Sequence, residues 1–190
     1  VILEGKKMSK SEKHMVFWNK ALEEYGVDGA RLYIAHGQSP FDNFDWKANI
    51  AKEYSKKIGK FEMYVERVLG ERNSHLPERD LSPKVIDHWL TSRTHHTTQK
   101  VEDYLKNAEI RWAINESFFG MQNDLKWYFL RRGENSTLVR DFVRTQLTLL
   151  YPFIPATIEN MAQKYYSTED IIREGSWPKY DPKHIDEKEE

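Results

Sequence analysis

The sequence predicts a mainly α-helical protein, a bundle of long helices preceded by a short strand-loop-helix segment. Three observations predict it. Apolar residues recur at helical spacing over three long segments, Ser82-Pro83 and Gly133 stand where helices start and stop, and one segment is apolar on two sides, as the central member of a bundle must be. With 190 residues, 39% of them hydrophobic, the chain is long enough to bury one sizeable core and a small appended unit.

Behind Val1-Ile2-Leu3 the chain is Gly- and Lys-rich to about Lys13, which reads as a strand end running into a mobile loop. Met15 to Tyr25 is a short helical pattern stopped near Gly26, Ala30 to Ala35 a second, and Gly37 to Phe44 a packed loop around Pro40. Asp45 is placed as the N-cap of a helix reaching about Arg72. Along it Ile50, Tyr54, Ile58, Phe61, Val65, Val68 and Leu69 fall within about 100° of arc, a core-facing stripe. Lys52, Lys56, Lys60 and Arg67 share the opposite side, off the arc of Glu62 and Glu66. That side is either an ordinary solvated face or a stripe that tracks phosphates.

Ser82 as N-cap with Pro83 behind it starts a second long helix running to about Asn107, with Ile86, Leu90, Thr97, Val101, Tyr104 and Leu105 inward. The third, from about Glu109 to Arg132, carries Ile110, Ile114, Phe118, Met121, Leu125 and Tyr128 on one side and Trp112, Phe119, Trp127 and Leu130 roughly opposite. It is therefore expected between neighbours, with Gly133 ending it. A fourth helix runs from about Ser136 to the prolines at 152 and 155, a fifth from Ala156 to Tyr166, and the acidic tail from Trp177 is expected to fray. The division expected is 1–44, 45–176 and 177–190.

Basic and acidic side chains nearly cancel, 29 against 30, so any nucleic-acid binding must come from a local patch. No stretch approaches the roughly 18 apolar residues that cross a bilayer, which excludes a membrane partner of that kind. The N-terminal residues lack signal-peptide order and there is no Cys, so a cytoplasmic setting is expected. Walker, G-x-G-x-x-G, G-x-S-x-G and H-E-x-x-H patterns are missing. His88 and His95 share a helix face about 10 Å apart by helical rise while His96 points away, so they cannot converge on one ion and are expected to be exposed. No metal ligand set is assigned.

One segment carries chemistry. Lys7-Met8-Ser9-Lys10-Ser11, behind Gly5-Lys6, puts two ammonium groups and two hydroxyls on a loop after an apolar strand. Such a loop can close over a triphosphate and neutralise charge that builds as a carboxylate attacks the α-phosphorus. These five letters resemble the KMSKS signature of class I aminoacyl-tRNA synthetases. Downstream, Glu24-Tyr25-Gly26-Val27-Asp28-Gly29-Ala30-Arg31-Leu32-Tyr33 is similar to the Tyr-Gly-x-Asp-Ala-x-Arg-like segment of the leucyl, isoleucyl, valyl and methionyl group, which precedes a helical anticodon-binding bundle. Pro40-Phe41-Asp42-Asn43-Phe44-Asp45-Trp46, Asn123 to Gly133 and Ser176-Trp177-Pro178 look most like leucyl-tRNA synthetases of the archaeal and eukaryotic type.

The resemblance implies a C-terminal portion of such a ligase, from the signature loop through the anticodon-binding-type bundle. It implies ATP, with Mg2+ in the full-length enzyme, as the group bound by Lys7, Met8, Ser9, Lys10 and Ser11. Lys10 would be the main transition-state contact and Lys7 its assistant. Leucine isoacceptor tRNA would lie on Lys52, Lys56, Lys60 and Arg67 without sequence reading, and leucine would be held by a catalytic domain not encoded here. The segment is expected to be inactive alone and monomeric. Two departures are visible: where the family has Gly-Asn after the signature, Glu12-Lys13-His14 stand here, and the His-rich partner signature is missing, His36-Gly37 being the nearest pair. A free-standing helical RNA-binding module, the same segment of an isoleucyl, valyl or methionyl enzyme, and a purely structural helical protein remain open.

Overall fold

The computed structural model describes residues 2–38, 43–72, 82–166 and 177–185. Strands β1 (Ile2–Leu3) and β2 (Lys6–Lys7) form a hairpin, and helices α1 (Trp18–Tyr25) and α2 (Val27–Gly37) follow. After β3 (Asp45–Trp46) come α3 (Ala48–Glu66), extended by a π-helical turn over Arg67–Arg72, and α4 (Val85–Lys106). Helix α5 (Ile110–Ile114) continues through a π-helical turn, Asn115–Gly120, into α6 (Met121–Leu130). Helices α7 (Ser136–Leu150) and α8 (Pro155–Tyr165) and a 3-10 turn at Pro182–His184 complete the described chain.

The β1–β2 turn places Glu4 and Gly5 at φ 49° and 78°, the two successive positive values of a tight type I′ hairpin. β3 pairs with β1 in parallel, giving the order β2-β1-β3. Asp45 therefore does not cap a helix. Its side chain accepts from Gly5 N–H at 3.0 Å, bracing the hairpin, and α3 starts after Lys47. The distant Glu4 carboxylate supplies the missing acceptor, taking the Ala48 N–H at 2.9 Å. A helix N-terminus needs an acceptor but not a local one.

Other helix starts shift as well. α1 begins at Trp18 rather than Met15, and α4 begins after Lys84 rather than Ser82, because Asp87 reaches back to the Lys84 N–H at 2.7 Å and supplies the cap itself. α2 extends beyond the expected Ala30 to Ala35 at both ends.

The segment from Tyr25 to Arg31 joins two ends of the chain. Gly26 turns the backbone at φ 72°, and at Gly29 a Cβ would lie 2.6 Å from Ser55 Oγ, so α2 and α3 approach as only glycine allows. Buried Asp28 accepts the Thr157 N–H at 2.6 Å in the first turn of α8, and Arg31 donates to the Pro152 carbonyl at 3.0 Å.

The core runs between α4, α6, α7 and α8, with Leu90, Val101, Met121, Leu125, Leu147 and Ile158 shut from solvent. The inward stripe of α3 is buried from Tyr54 to Leu69, but Ile50, in the first turn of the helix, is 37% exposed. The helix from Ile110 buries one side only: Trp112, Trp127 and Leu130 are 55%, 51% and 64% exposed. Of its second stripe only Phe119 packs, against Phe118 and the His36 ring. Trp177 packs on the core and Asp181 bonds α4, so residues 177–185 do not fray.

Candidate nucleotide loop and tRNA face

Lys7 ends β2, Met8 follows it, and Ser9, Lys10 and Ser11 lie on the next turn. Ser9 and His14 exchange backbone hydrogen bonds, Ser9 N–H to the His14 carbonyl at 2.8 Å and the reverse at 3.0 Å, and Lys13 N–H closes on the Lys10 carbonyl at 3.2 Å. Ser9 Oγ lies 3.0 Å from Ser11 Oγ and accepts the Glu12 N–H. Met8 packs on the core, fixing the base of the turn. Lys7 and Lys10 are exposed, and neither joins an ion pair among the described residues.

The turn closes without glycine at Glu12-Lys13-His14. Lys13 itself takes the left-handed conformation at φ 55°, at a cost of about 1 kcal/mol. His14 Nε2 donates to the Leu3 carbonyl at 2.8 Å, pinning the return strand to β1. The chemistry of this donor set, two free ammonium groups flanked by hydroxyls, fits a polyphosphate.

The second set stands on α3. Lys52, Lys56, Lys60 and Arg67 are all exposed, on a line that begins one turn beyond the Glu4-bound N-terminus and runs away from the hairpin for about 22 Å. Glu53, which the charge pattern did not single out, pairs with Lys56 at 2.7 Å, and its carboxyl is held below the usual range by Lys56 first and then by Lys60 and Lys57. Glu66 is taken up by Lys164 at 2.7 Å and leaves the stripe alone. Lys57, off the stripe, lies 4.0 Å over the Tyr54 ring, and burial pushes its ammonium below the ordinary lysine range.

His36 is not part of a catalytic signature. Its Nδ1 meets Tyr54 Oη at 2.5 Å and its Nε2 meets Asn115 Oδ1 at 2.8 Å, while Arg111 donates to its carbonyl at 2.9 Å, which ties α2 to α3 and to the π turn. Burial, against the Asn115 bond, lowers its pKa. His95 is half-buried rather than exposed, with its ring stacked 5.1 Å from His184. Among the described residues no group of His, Asp or Glu is arranged to hold a metal ion, and no helix is long and apolar enough to cross a membrane.

Two exposed lysines near the hairpin are thus followed by a helical bundle whose first long helix, α3, carries a line of exposed cations. The family model described as anticodon-binding domain of tRNA ligase matches residues 87–190, and that of tRNA synthetases class I (M) matches 1–69. The chain belongs to the anticodon-binding domain family of tRNA ligases. Over its whole length it corresponds to a segment of leucine–tRNA ligases. It is 32% identical to that of Archaeoglobus fulgidus, with 100% of this chain and 19% of that protein aligned, and 32% identical to that of Methanothrix thermoacetophila over the same shares. It thus spans about a fifth of these relatives. The fold is shared, at TM-score 0.81 and 16% identity, with a leucyl-tRNA synthetase from Agrobacterium radiobacter K84 solved in a ternary complex with tRNA and LeuAMS. That match covers 97% of this chain and 24% of that one.

Proposed function

We propose that the chain serves as part of a leucine–tRNA ligase, supplying the loop that clamps ATP phosphates and the bundle that docks tRNA. In the whole enzyme the leucine carboxylate attacks the α-phosphorus of ATP, releasing pyrophosphate and forming leucyl-adenylate. A terminal tRNA hydroxyl then attacks the leucyl carbonyl and AMP leaves. The observation that carries the reading is the Ser9–His14 turn, which leaves Lys7 and Lys10 free within a segment that matches such ligases from end to end. Lys10 contacts the transferred phosphates as their charge builds, Lys7 assists, and Met8, Ser9 and Ser11 shape the loop around them. ATP enters with Mg2+, and both it and leucine bind mainly through a catalytic domain outside this chain, so the chain alone is inactive.

The outer face of α3 braces leucine isoacceptor tRNA through Lys52, Lys56, Lys60 and Arg67, by phosphate contacts that position without reading bases. Residues 1–44 form the end of the catalytic region, 45–176 the docking bundle and 177–190 a tail. The working form is a cytoplasmic monomer. In the full-length enzyme Lys10→Ala is expected to slow leucine-dependent pyrophosphate exchange by roughly a hundredfold or more, as for loss of a group acting in the transition state. Exchange at the wild-type rate would remove the loop assignment.

A further inference from the structure

Between the bridged residues Ser9 and His14 the chain turns through Lys10 to Lys13, and the Lys13 N–H closes on the Lys10 carbonyl at 3.2 Å. A turn of that kind keeps its first and last Cα atoms within about 7 Å. Its last residue, Lys13, stands at φ 55°, a conformation that glycine takes freely and lysine does not. The other non-glycine residues at positive φ among the described residues are Glu4, Ala108 and Arg132. Glu4 gives its carboxylate to the Ala48 N–H, and Ala108 and Arg132 stand where α4 and α6 end. The Lys13 ammonium has no comparable use inside the protein: it is exposed and joins no ion pair among the described residues. Glu12 beside it adds a negative charge to a loop that meets a polyanion, and Lys13 offsets that charge.

We propose that Lys13 is a third phosphate contact of this loop and holds the β- and γ-phosphates of ATP, while Lys10 meets the α-phosphate. The inference rests on the ATP-clamping reading of the loop. Two backbone bonds between Ser9 and His14, and the bond from His14 Nε2 to the Leu3 carbonyl at 2.8 Å, fix the point from which the Lys13 ammonium extends. The loop backbone is therefore ordered before the ligand arrives, which lowers the cost of binding. The two lysines differ in what they do. As the leucine carboxylate attacks the α-phosphorus, the bond to the bridging oxygen breaks and pyrophosphate leaves with its electron pair. Lys10 acts on charge that builds in passage, whereas the charge of the pyrophosphate portion is present before and after the step. A contact to that portion binds ground state and transition state alike, so it shows in KM more than in kcat.

The test uses the full-length ligase with inorganic pyrophosphate as the probe, read by calorimetric binding and by leucine-dependent pyrophosphate exchange. Lys13→Gly removes the ammonium and relaxes the turn, Lys13→Ala removes the ammonium and keeps the strain, and Lys13→Arg keeps the charge. The dissociation constant and the KM for pyrophosphate are expected to rise roughly fivefold to tenfold in the Gly and Ala variants alike, while kcat falls far less than in Lys10→Ala. Lys13→Arg is expected to restore most of the binding. Wild-type pyrophosphate affinity in Lys13→Gly overturns the inference. A loss confined to Lys13→Ala overturns it too, because strain and not charge would then set the affinity. Lys10→Ala separates this contact from the reading beneath it. Exchange at the wild-type rate in that variant removes the loop assignment and Lys13 with it, whereas slowed exchange there beside unaltered binding in Lys13→Gly removes Lys13 alone.

Discussion

The Tyr128 hydroxyl donates to Asp87 Oδ1 at 2.6 Å and accepts the Asn135 N–H at 2.9 Å, joining the first turn of α4 to the loop after α6. Burial and then the Asp87 bond raise its pKa far above the tyrosine norm. The same ring explains Gly133. Arg132, not the glycine, takes the left-handed position at φ 60°, and Gly133 N–H and Arg132 N–H close on the Tyr128 and Phe129 carbonyls in a Schellman motif. Gly133 is required because a Cβ there would stand 2.2 Å from the Tyr128 ring. Gly133→Ala is expected to destabilise by about 2–3 kcal/mol through overpacking, and Tyr128→Phe by about 1–3 kcal/mol through the lost bond to a buried carboxylate. Urea midpoints check both, and a Gly133→Ala protein as stable as wild type would refute the packing account.

Ala108 ends α4 in the same manner. It sits at φ 58°, with Glu109 N–H on the Tyr104 carbonyl at 2.8 Å, a left-handed position held by a residue that resists it. Ala108→Gly should therefore stabilise the protein by about 0.5–1 kcal/mol, raising the thermal midpoint by a few degrees. A lowered midpoint would contradict this.

Lys13 bears a similar strain in the signature loop, at φ 55°. Lys13→Gly should relax the turn and leave the Ser9–His14 pairing in place, seen as unchanged backbone chemical shifts at both residues. Loss of that pairing would mean that the Lys13 side chain, rather than the backbone, holds the turn.

The segment carrying Asp181 should dock in a pH-dependent way. Asp181 N–H donates to His95 Nδ1 at 3.1 Å, which requires that nitrogen to be unprotonated. Burial first, and His184 second, lower the His95 pKa below its ordinary 6.5. The unfolded or undocked chain then binds the proton more tightly, so docking strength is fully present above about pH 6.5 and is lost as pH falls through the lowered value. The protection factor of the Asp181 amide, corrected for intrinsic exchange, should drop between pH 7.5 and pH 5. Equal protection at both values would refute the coupling.

The long helices were legible because their apolar residues repeat at 3.6 spacing, and Tyr54 through Leu69 are buried as that spacing requires. The sheet was not, because strands of two residues carry no period, and β3 is defined only by its partner β1 forty residues earlier. The Asp45 cap failed because the acceptor for the start of α3 is remote, Glu4 lying 44 residues earlier, and Asp28 serves α8 from still farther away, neither visible in local spacing. Trp112, Trp127 and Leu130 were read as a second buried stripe because hydropathy records apolar surface, not what covers it. Lys7 to Ser11 were singled out from their letters alone, while the Tyr54, Asn115 and Arg111 contacts around His36 need separate elements brought together.

The most direct measurement is a fluorescence titration of the chain with leucine tRNA over a range of salt. With Lys56 shared with Glu53, three to four phosphates remain for the α3 face, and the account predicts binding that weakens with a log-log slope of roughly −2 to −3. Lys52→Glu, Lys56→Glu and Lys60→Glu together should flatten that slope and abolish most of the affinity. Binding that is absent at low salt, or that is indifferent to those three substitutions, would contradict a tRNA-docking role for this face.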